Sequence, residues 1–548
     1  MKRCPECRRT YADESLNFCR VDGVPLVADA AAADESEPTR FMPAPTAAST
    51  GELPTEVFVR GGASGGVGTS ASLTTPLPPG RRRRARAIDS LAVLPLENAT
   101  GEPQAEYLSD GITEAIINAL SQLPRLRVVP RATVFRYKGS GADPQEVGRQ
   151  LNVRAVVTGR MHLLGDLLVV SAELVDVEQH AQVWGEQYRH KHEDIFTLQE
   201  RISQEITTKL RLRLSGEDRK RLRKRPTENT EAYHLYLKGR YYLSKRTTDW
   251  IRKGVEHFQR AIDIDPAYAL AHAGLADAYA FLASSTGEQP PAEFYPKAEA
   301  AARRALEIDD TLAEAHSSLG FYHLLYEYDF ERAGRAFARA VELNPNYANA
   351  HDGQSFYFKA IDRHAEAVRA CRRAQQLDPL SLFANVSLGW AYHFARQYET
   401  ALEHARKALE LDPQFIFAHW LAGMAHAQRG ALDEAAAALA LAVEHSGGGL
   451  TFKAHLGYVS ALAGRRDEAR GLLGELEGHA QVRYVPAYYF ALIHLGLAKR
   501  AAAIEGFERA YEERSGFLAF IHVEPTLDPL RDEPRFKELA RRIGPASQ

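Results

Sequence analysis

Three of the four cysteines stand within the first 19 residues. They read Cys4-Pro-Glu-Cys7, then eleven residues, then Cys19-Arg-Val-Asp22. Two thiolates separated by two residues on a tight turn can face one tetrahedral ion, and a second such turn completes the coordination. Asp22 stands where a fourth cysteine would close the set, and a carboxylate also ligates zinc. Cys4, Cys7, Cys19 and Asp22 are therefore the expected zinc ligands of a ribbon over residues 1–26. The competing reading is a degenerate knuckle that binds metal weakly or not at all. A redox dithiol fits less well, because no βαβ pattern surrounds the pair.

Other reactive types are spread out. His272, His316, His351 and His419 recur at one position, each six residues past the end of an acidic or amide step such as Asp265-Pro266. One histidine per repeated unit puts neighbours too far apart to share an ion, so packing is the expected role. Cys371 falls where Phe258, Phe337 and Phe507 stand in other units, which reads as core. Asp110, Thr113 and Glu114 form a small polar group, and Asp110-Gly111 reads as a capping or turn feature at a helix start. Trp184 reads as core. The chain has no Gly-x-Ser-x-Gly, no His-Glu-x-x-His, no Walker loop and no kinase signature. Gly61 to Ser70 is glycine-rich but carries no lysine to meet a phosphate. No enzyme is expected.

With 548 residues the chain exceeds one core, so several domains are expected. The formal net charge of −3 points to no strong field toward nucleic acid or membrane. No apolar run reaches the roughly 18 to 20 residues of a bilayer span. The start, Met1-Lys2-Arg3-Cys4, has no apolar signal region behind it. The expectation is a soluble cytoplasmic protein.

The elements that carry these residues are periodic. Leu377-Asp378-Pro379 recurs as Leu411-Asp412-Pro413, 34 residues on. Gly389 and Gly423, Ala401 and Ala435, and Ala408 and Ala442 keep the same interval. A period of this length means stacked supersecondary units. Small residues mark where two helices cross closely, and proline opens the next helix, where its missing N–H costs nothing. These residues resemble the tetratricopeptide repeat (TPR). The resemblance implies an α-solenoid over residues 230–548, with about eight helix pairs. Successive closing steps at Asp265, Asp309, Asn344, Asp378 and Asp412 are 44, 35, 34 and 34 apart. Ser284 to Pro291 accounts for most of the one long interval. Phe536, Leu539 and Ile543 mark a capping helix.

Residues 27–87 are rich in Ala, Gly, Ser, Thr and Pro and read as a disordered linker. Its Arg81 to Arg84 run reads as a solvated tether. Residues 88–215 read as one α/β domain in the order β-α-β-α-β-β-β-α, including a strand over Leu126 to Val134 and a meander turning at Gly165-Asp166. Leu91-Ala-Val-Leu-Pro-Leu-Glu-Asn98, Tyr107-Leu-Ser-Asp-Gly-Ile-Thr-Glu114, Val157-Thr-Gly159 and Trp184-Gly-Glu186 resemble the TolB amino-terminal-like domain. That resemblance implies a small α/β module placed between an output module and a TPR array. Residues 216–229 read as a basic hinge.

In TPR solenoids the first helix of each repeat lines the concave face. The places so implied hold Phe321, Phe356, Phe383, Trp390, Phe417, Trp420, Met424 and Tyr458, with Leu324, Val386, Tyr488, Leu492 and Leu495 beside them and Lys359 as the one cation. An apolar, aromatic groove of this kind suits an amphipathic helix or an extended apolar segment; the competing reading is that tight curvature buries these rings against each other, or that the chain's own α/β domain fills the groove. The expected function is a non-enzymatic protein–protein interaction scaffold or sensor adaptor. The alternative is a transcription-associated regulator that uses the ribbon and basic segments on nucleic acid.

Overall fold

A computed structural model describes residues 88–544, apart from 103–104, 124, 192–194, 213, 224, 246–247, 285–288 and 379–380, together with three two-residue strands near the start. The chain divides into two compact units, residues 1–86 and 87–548.

In the first unit, β1 (Lys2–Arg3) pairs antiparallel with β2 (Thr10–Tyr11) and with β3 (Val27–Ala28). The first module thus reaches two residues into the stretch expected to be linker. The four expected zinc ligands, Cys4, Cys7, Cys19 and Asp22, lie outside the described residues, as does the rest of the linker to residue 87.

The second unit begins with a six-stranded sheet. Its main path puts Arg127–Val128 (β6) beside Ser90–Val93 (β4), then Ala155–Leu164 (β7), Leu167–Asp176 (β8) and Ala181–Lys191 (β9). The short β5 (Glu97–Asn98) also pairs with β7. Strands β4, β6 and β7 are parallel, and the meander that follows is antiparallel. Gly165 takes φ +60° in the β7–β8 turn, a conformation that costs glycine little. The expected long strand at Leu126 to Val134 is only two residues. Pro130 ends it, and residues Arg131–Val134 coil into a short helix, α2. Helices α1 (Glu106–Ser121), α3 (Pro144–Gln150) and α4 (Ile195–Lys209) complete the layer. Leu108, Ile112, Ile116 and Leu120 of α1 are buried at helical spacing. Trp184 is core, 6% exposed.

After α5 (Gly216–Arg223) the described residues form eight helix pairs. The first helices of the pairs are α6 (Thr230–Leu243), α8 (Ala269–Ser284), α10 (Ala313–Tyr322), α12 (Ala348–Ala360), α14 (Leu382–Phe394), α16 (Ile416–Gln428), α18 (Leu450–Leu462) and α20 (Ala487–Gly496). Each is followed by its partner, from α7 (Thr248–Ile264) through α15 (Tyr398–Leu411) to α21 (Arg500–Glu512). Phe337 shows how the pairs stack. It is fully buried, and a Cβ on Gly320 or Gly353 would sit 2.6 or 2.3 Å from its ring. Two glycines on successive first helices therefore leave the slot the ring fills. Cys371, smaller, occupies the matching slot and is fully buried. Ala401 and Ala408 are likewise fully buried.

The repeated histidines have a structural task. Nε2 of His272, His316, His351 and His419 lies 2.9 to 3.1 Å from the carbonyl oxygen of Pro266, Asp310, Pro345 and Pro413 respectively. An Nε2–H donated to that oxygen ties each first helix to the turn that starts it. Burial lowers the pKa of all four rings, which keeps them neutral.

Candidate functional site

Two faces of the solenoid carry side chains not used simply to stack repeats. The first is the concave lining. Phe383 is 41% exposed, while Phe321, Phe356, Trp390, Phe417 and Trp420 are half-buried. Met424 and Tyr458 are buried, as are Leu324, Val386, Tyr488, Leu492 and Leu495. The expected open groove is therefore much reduced, and the reason lies in the C-terminal segment. Past α21 the chain turns into two short 3-10 stretches, Gly516–Phe520 and Pro525–Leu530, and then helix α22 (Pro534–Ile543).

Phe520 stacks on Phe394 at 5.4 Å and meets Phe356 at 6.0 Å edge-on. Phe517 stacks on Tyr488 at 4.8 Å and approaches Trp420 at 6.4 Å. Tyr328 donates its hydroxyl to Ser515 O at 2.9 Å, next to a π-helical turn at His323–Glu327. Arg396 pairs with Asp528 at 2.7 Å. Leu518, Ile521, Leu527 and Leu530 are fully buried. At about 1.5 to 3 kcal/mol for each buried aliphatic side chain, the segment is held as core. Lys359 is not an open cation either. It is 1% exposed, donates to Ser387 Oγ at 3.0 Å and lies 4.0 Å above the Phe356 ring.

What stays open is the rim. Phe383, Phe415 and Phe417 form a triangle with centroids 5.2, 5.3 and 5.6 Å apart. Trp390 and Trp420 lie behind it, edge to face at 4.9 Å.

The second face joins the α/β domain to the repeats. Asp110, Thr113 and Glu114 are not a cap at the helix start. They lie within α1, which begins at Glu106. Thr113 accepts from Leu96 N at 3.0 Å and donates to Ser109 O at 2.8 Å, fixing the β4–β5 connection to α1. Glu114 meets Arg131 at 3.0 Å and Arg240 of α6 at 2.7 Å. Asp110 pairs with Lys138. Burial pushes the Asp110 carboxyl up, against the pull of Lys138 and Arg131. Gly111 is a close-approach glycine, since a Cβ there would sit 2.4 Å from Leu237 of α6.

Asn346, in a closing step of the solenoid, donates to Ser121 O, Leu123 O and Leu126 O at 3.1, 3.4 and 3.2 Å. One side chain thus ties together carbonyls from the end of α1 and from the loop that follows it. Between these contacts lies a cavity of about 1400 Å³, walled by Glu114, Arg240, Asp277, Glu314, Tyr347 and Asp378 among others. The sequence offered one sign of it, the Asp110–Glu114 group, and no sign of the partners. Among the described residues no group of three His, Cys, Asp or Glu side chains is arranged to hold a metal ion. Among them, too, no helix is long and apolar enough to cross a membrane.

Residues 384–415 match the tetratricopeptide repeat family. The chain therefore carries a tetratricopeptide repeat within a helical solenoid. Residues 87–205 match the second domain of HilA/YgeH-like transcriptional regulators, a different family from the TolB-like one expected. A protein of Rhizobium meliloti (strain 1021) described as putative adenylate cyclase 3 is 34% identical over 189 residues, which is 34% of this chain and 32% of that protein. The chain thus spans about a third of that relative's length. Among solved structures, Pseudomonas aeruginosa pilF resembles it at 18% identity and a TM-score of 0.32, over 43% of this chain and 98% of pilF. The human IFIT1 dimer with m7Gppp-AAAA does so at 13% identity and 0.41, over 58% and 77%.

Proposed function

We propose that the protein is a non-enzymatic interaction scaffold or sensor adaptor, whose solenoid binds an apolar segment of a partner protein at the rim formed by Phe383, Phe415 and Phe417. The observation that carries this reading is the exposure of Phe383 beside two further rings, while the deeper groove is filled by the chain itself. Aromatic side chains left in contact with water and with each other are favoured anchors for a partner. An amphipathic helix or extended segment would cover the triangle, with Trp390 and Trp420 as its floor. In this reading the α/β domain packs on the solenoid as the sensing part, and the amino-terminal ribbon holds zinc through Cys4, Cys7, Cys19 and Asp22. Three thiolates and a carboxylate are a donor set that suits zinc.

The test is a Phe383→Ala, Phe417→Ala double variant of the full chain. Neither ring is fully buried, so the fold should hold by circular dichroism. Partners captured by the wild type and identified by mass spectrometry should be lost. Retention of every partner by a folded variant overturns the rim reading.

A second reading rests on the match of residues 87–205 to a domain of transcriptional regulators. The ribbon and the basic residues of 216–229 would then contact nucleic acid. Binding of the full chain to duplex DNA that weakens steeply with salt would favour it.

A further inference from the structure

The meander of the α/β domain leaves one face open, and the strand registers say which residues stand on it. Leu168, Val170, Ala172 and Leu174 of β8 are 0% or 1% exposed and face the core. Side chains alternate along a strand, so the residues between them point the other way. Pairing across β7, β8 and β9 then sets outward rows of three. The row at the Gly165 turn holds Leu164, Leu167 and Lys191. The next holds His162, Val169 and Arg189, and the third Arg160, Ser171 and Gln187.

These rows join apolar surface to positive charge. Leu164 is 64% exposed and Leu167 38%. Arg160, Arg189 and Lys191 are exposed as well. Arg160 pairs with Glu97 at 2.8 Å. Arg189 donates to Gln187 at 3.2 Å, and among the described residues neither it nor Lys191 has an acidic partner within 4 Å. The one acid on this face of β8 near them is Glu173, in the fourth row with Thr158 and Gly185.

Open leucines beside unmatched cations fit a partner that brings apolar and acidic groups together. An anionic membrane is disfavoured, because Asp166 stands between the two leucines at the turn and would enter the lipid with them. A nucleic acid is disfavoured too, since no Phe, Tyr or Trp stands in these rows to stack a base. Three strands about 4.8 Å apart make a strip about 10 Å wide, which is the width of one helix.

We propose that this face of the meander docks an acidic amphipathic helix of a partner protein. Its apolar side chains would cover Leu164 and Leu167, and its carboxylates would meet Arg189 and Lys191. The site shares no residue with the solenoid rim and does not rest on the rim reading. The α/β domain would then hold one partner while the solenoid holds another.

The experiment is fluorescence anisotropy of a labelled peptide titrated with the full chain, at about 0.05 and about 0.3 M salt. The probe is a synthetic helix of about 18 residues, with leucine on one face and glutamate beside it. A control peptide has lysine in place of glutamate, and vesicles of phosphatidylglycerol and a polythymidine strand stand for the other two classes. The expected result is saturable binding of the glutamate peptide, weaker at the higher salt, and none of the lysine peptide. Affinity should fall about tenfold or more in Leu164→Ser, Leu167→Ser and in Arg189→Glu, Lys191→Glu. All four side chains face water, so both double variants should fold. The charge-reversed variant should gain binding of the lysine peptide, which mere loss of structure would not produce. The Phe383→Ala, Phe417→Ala variant should bind the glutamate peptide as the wild type does. Absence of saturable binding overturns the proposal, and so does unchanged affinity in either folded double variant. Loss of binding in the Phe383, Phe417 variant overturns it as well, by moving the peptide to the rim. Vesicles or polythymidine bound in place of the peptide, and released by Arg189→Glu, Lys191→Glu, overturn it in favour of that class.

Discussion

The solenoid meets the rest of its own chain on two faces, and the two are built differently. Its concave face receives residues 515–530 through stacked rings and four fully buried aliphatic side chains. The face toward the α/β domain also packs apolar groups, Phe196 on Tyr233 at 4.5 Å and Leu237 against Gly111, but adds the ion pair of Glu114 with Arg240, the hydrogen bonds of Asn346, and a cavity beside them. Apolar burial is non-directional and leaves few voids, so the first contact is a core. Polar contacts need fixed partners and leave spaces between them, so the second is a joint. A joint can respond to a ligand, and a core contact resists change.

The largest effect should come from breaking the core contact. Ile521 is fully buried, and Ile521→Asp places an unpaired carboxylate there. It should cost roughly 4 kcal/mol or more. Hydrogen exchange should quicken from about residue 320 to the C-terminus, with strands β7 to β9 spared. Equal loosening of the sheet would erase the distinction between the two faces.

Acid should act next, and mainly through the concave side. His393 is fully buried with neither ring nitrogen hydrogen-bonded, and burial depresses its pKa to about 3. Burial holds His455 down to about 4, against the hydrogen bond to Thr451 O. Both are neutral when folded and bind protons when unfolded near pH 6.5. Their contribution is complete above that pH and is lost as pH falls toward 4 and 3. The loss is on the order of 3 kcal/mol each by pH 4. Urea midpoints measured from pH 7.5 to 4 should fall for the wild type and fall less for His393→Phe.

Breaking the joint should cost less. Glu114→Ala leaves Arg131 and Arg240 without their shared carboxylate and should cost about 2 to 3 kcal/mol. Protection should be lost in α1 and α6, with the Phe517 and Phe520 contacts intact. Asn346→Ala removes hydrogen bonds to three carbonyls and should cost about 1 kcal/mol, read as a small shift in the melting of the α/β domain. Smallest on this comparison is metal. Chelation should strip about one zinc per chain from the ribbon and leave the melting of residues 87–548 unmoved. Metal analysis of the full chain before and after chelation checks the first part, and absence of zinc in the untreated protein overturns the site.

Each local feature was legible because its partners lie within one repeat. The 34-residue interval, the close-approach glycines Gly389 and Gly423 and the burial of Cys371 all follow from helices that stack on their neighbours. The meander turn at Gly165 was legible for the same reason. Two groups of residues have partners far along the chain that local sequence does not show. Asp110-Gly111 resembled a cap because its local sequence suits one, yet it lies within α1, and Glu114 of the same polar group meets Arg240, 126 residues away. The concave residues resembled an open groove because nothing nearby covers them, yet Tyr328 meets Ser515 across 187 residues.

The sequence by itself thus determined the α-solenoid, its repeat period, the core positions that recur with it and the α/β domain before it. Short-range packing writes a period into the chain, and a period can be read without coordinates. Only the tertiary structure decided which face of the solenoid is closed, which charges meet, and where an unfilled space remains. Those contacts join residues many repeats apart, such as Tyr328 with Ser515 and Phe356 with Phe520, and no single repeat records them.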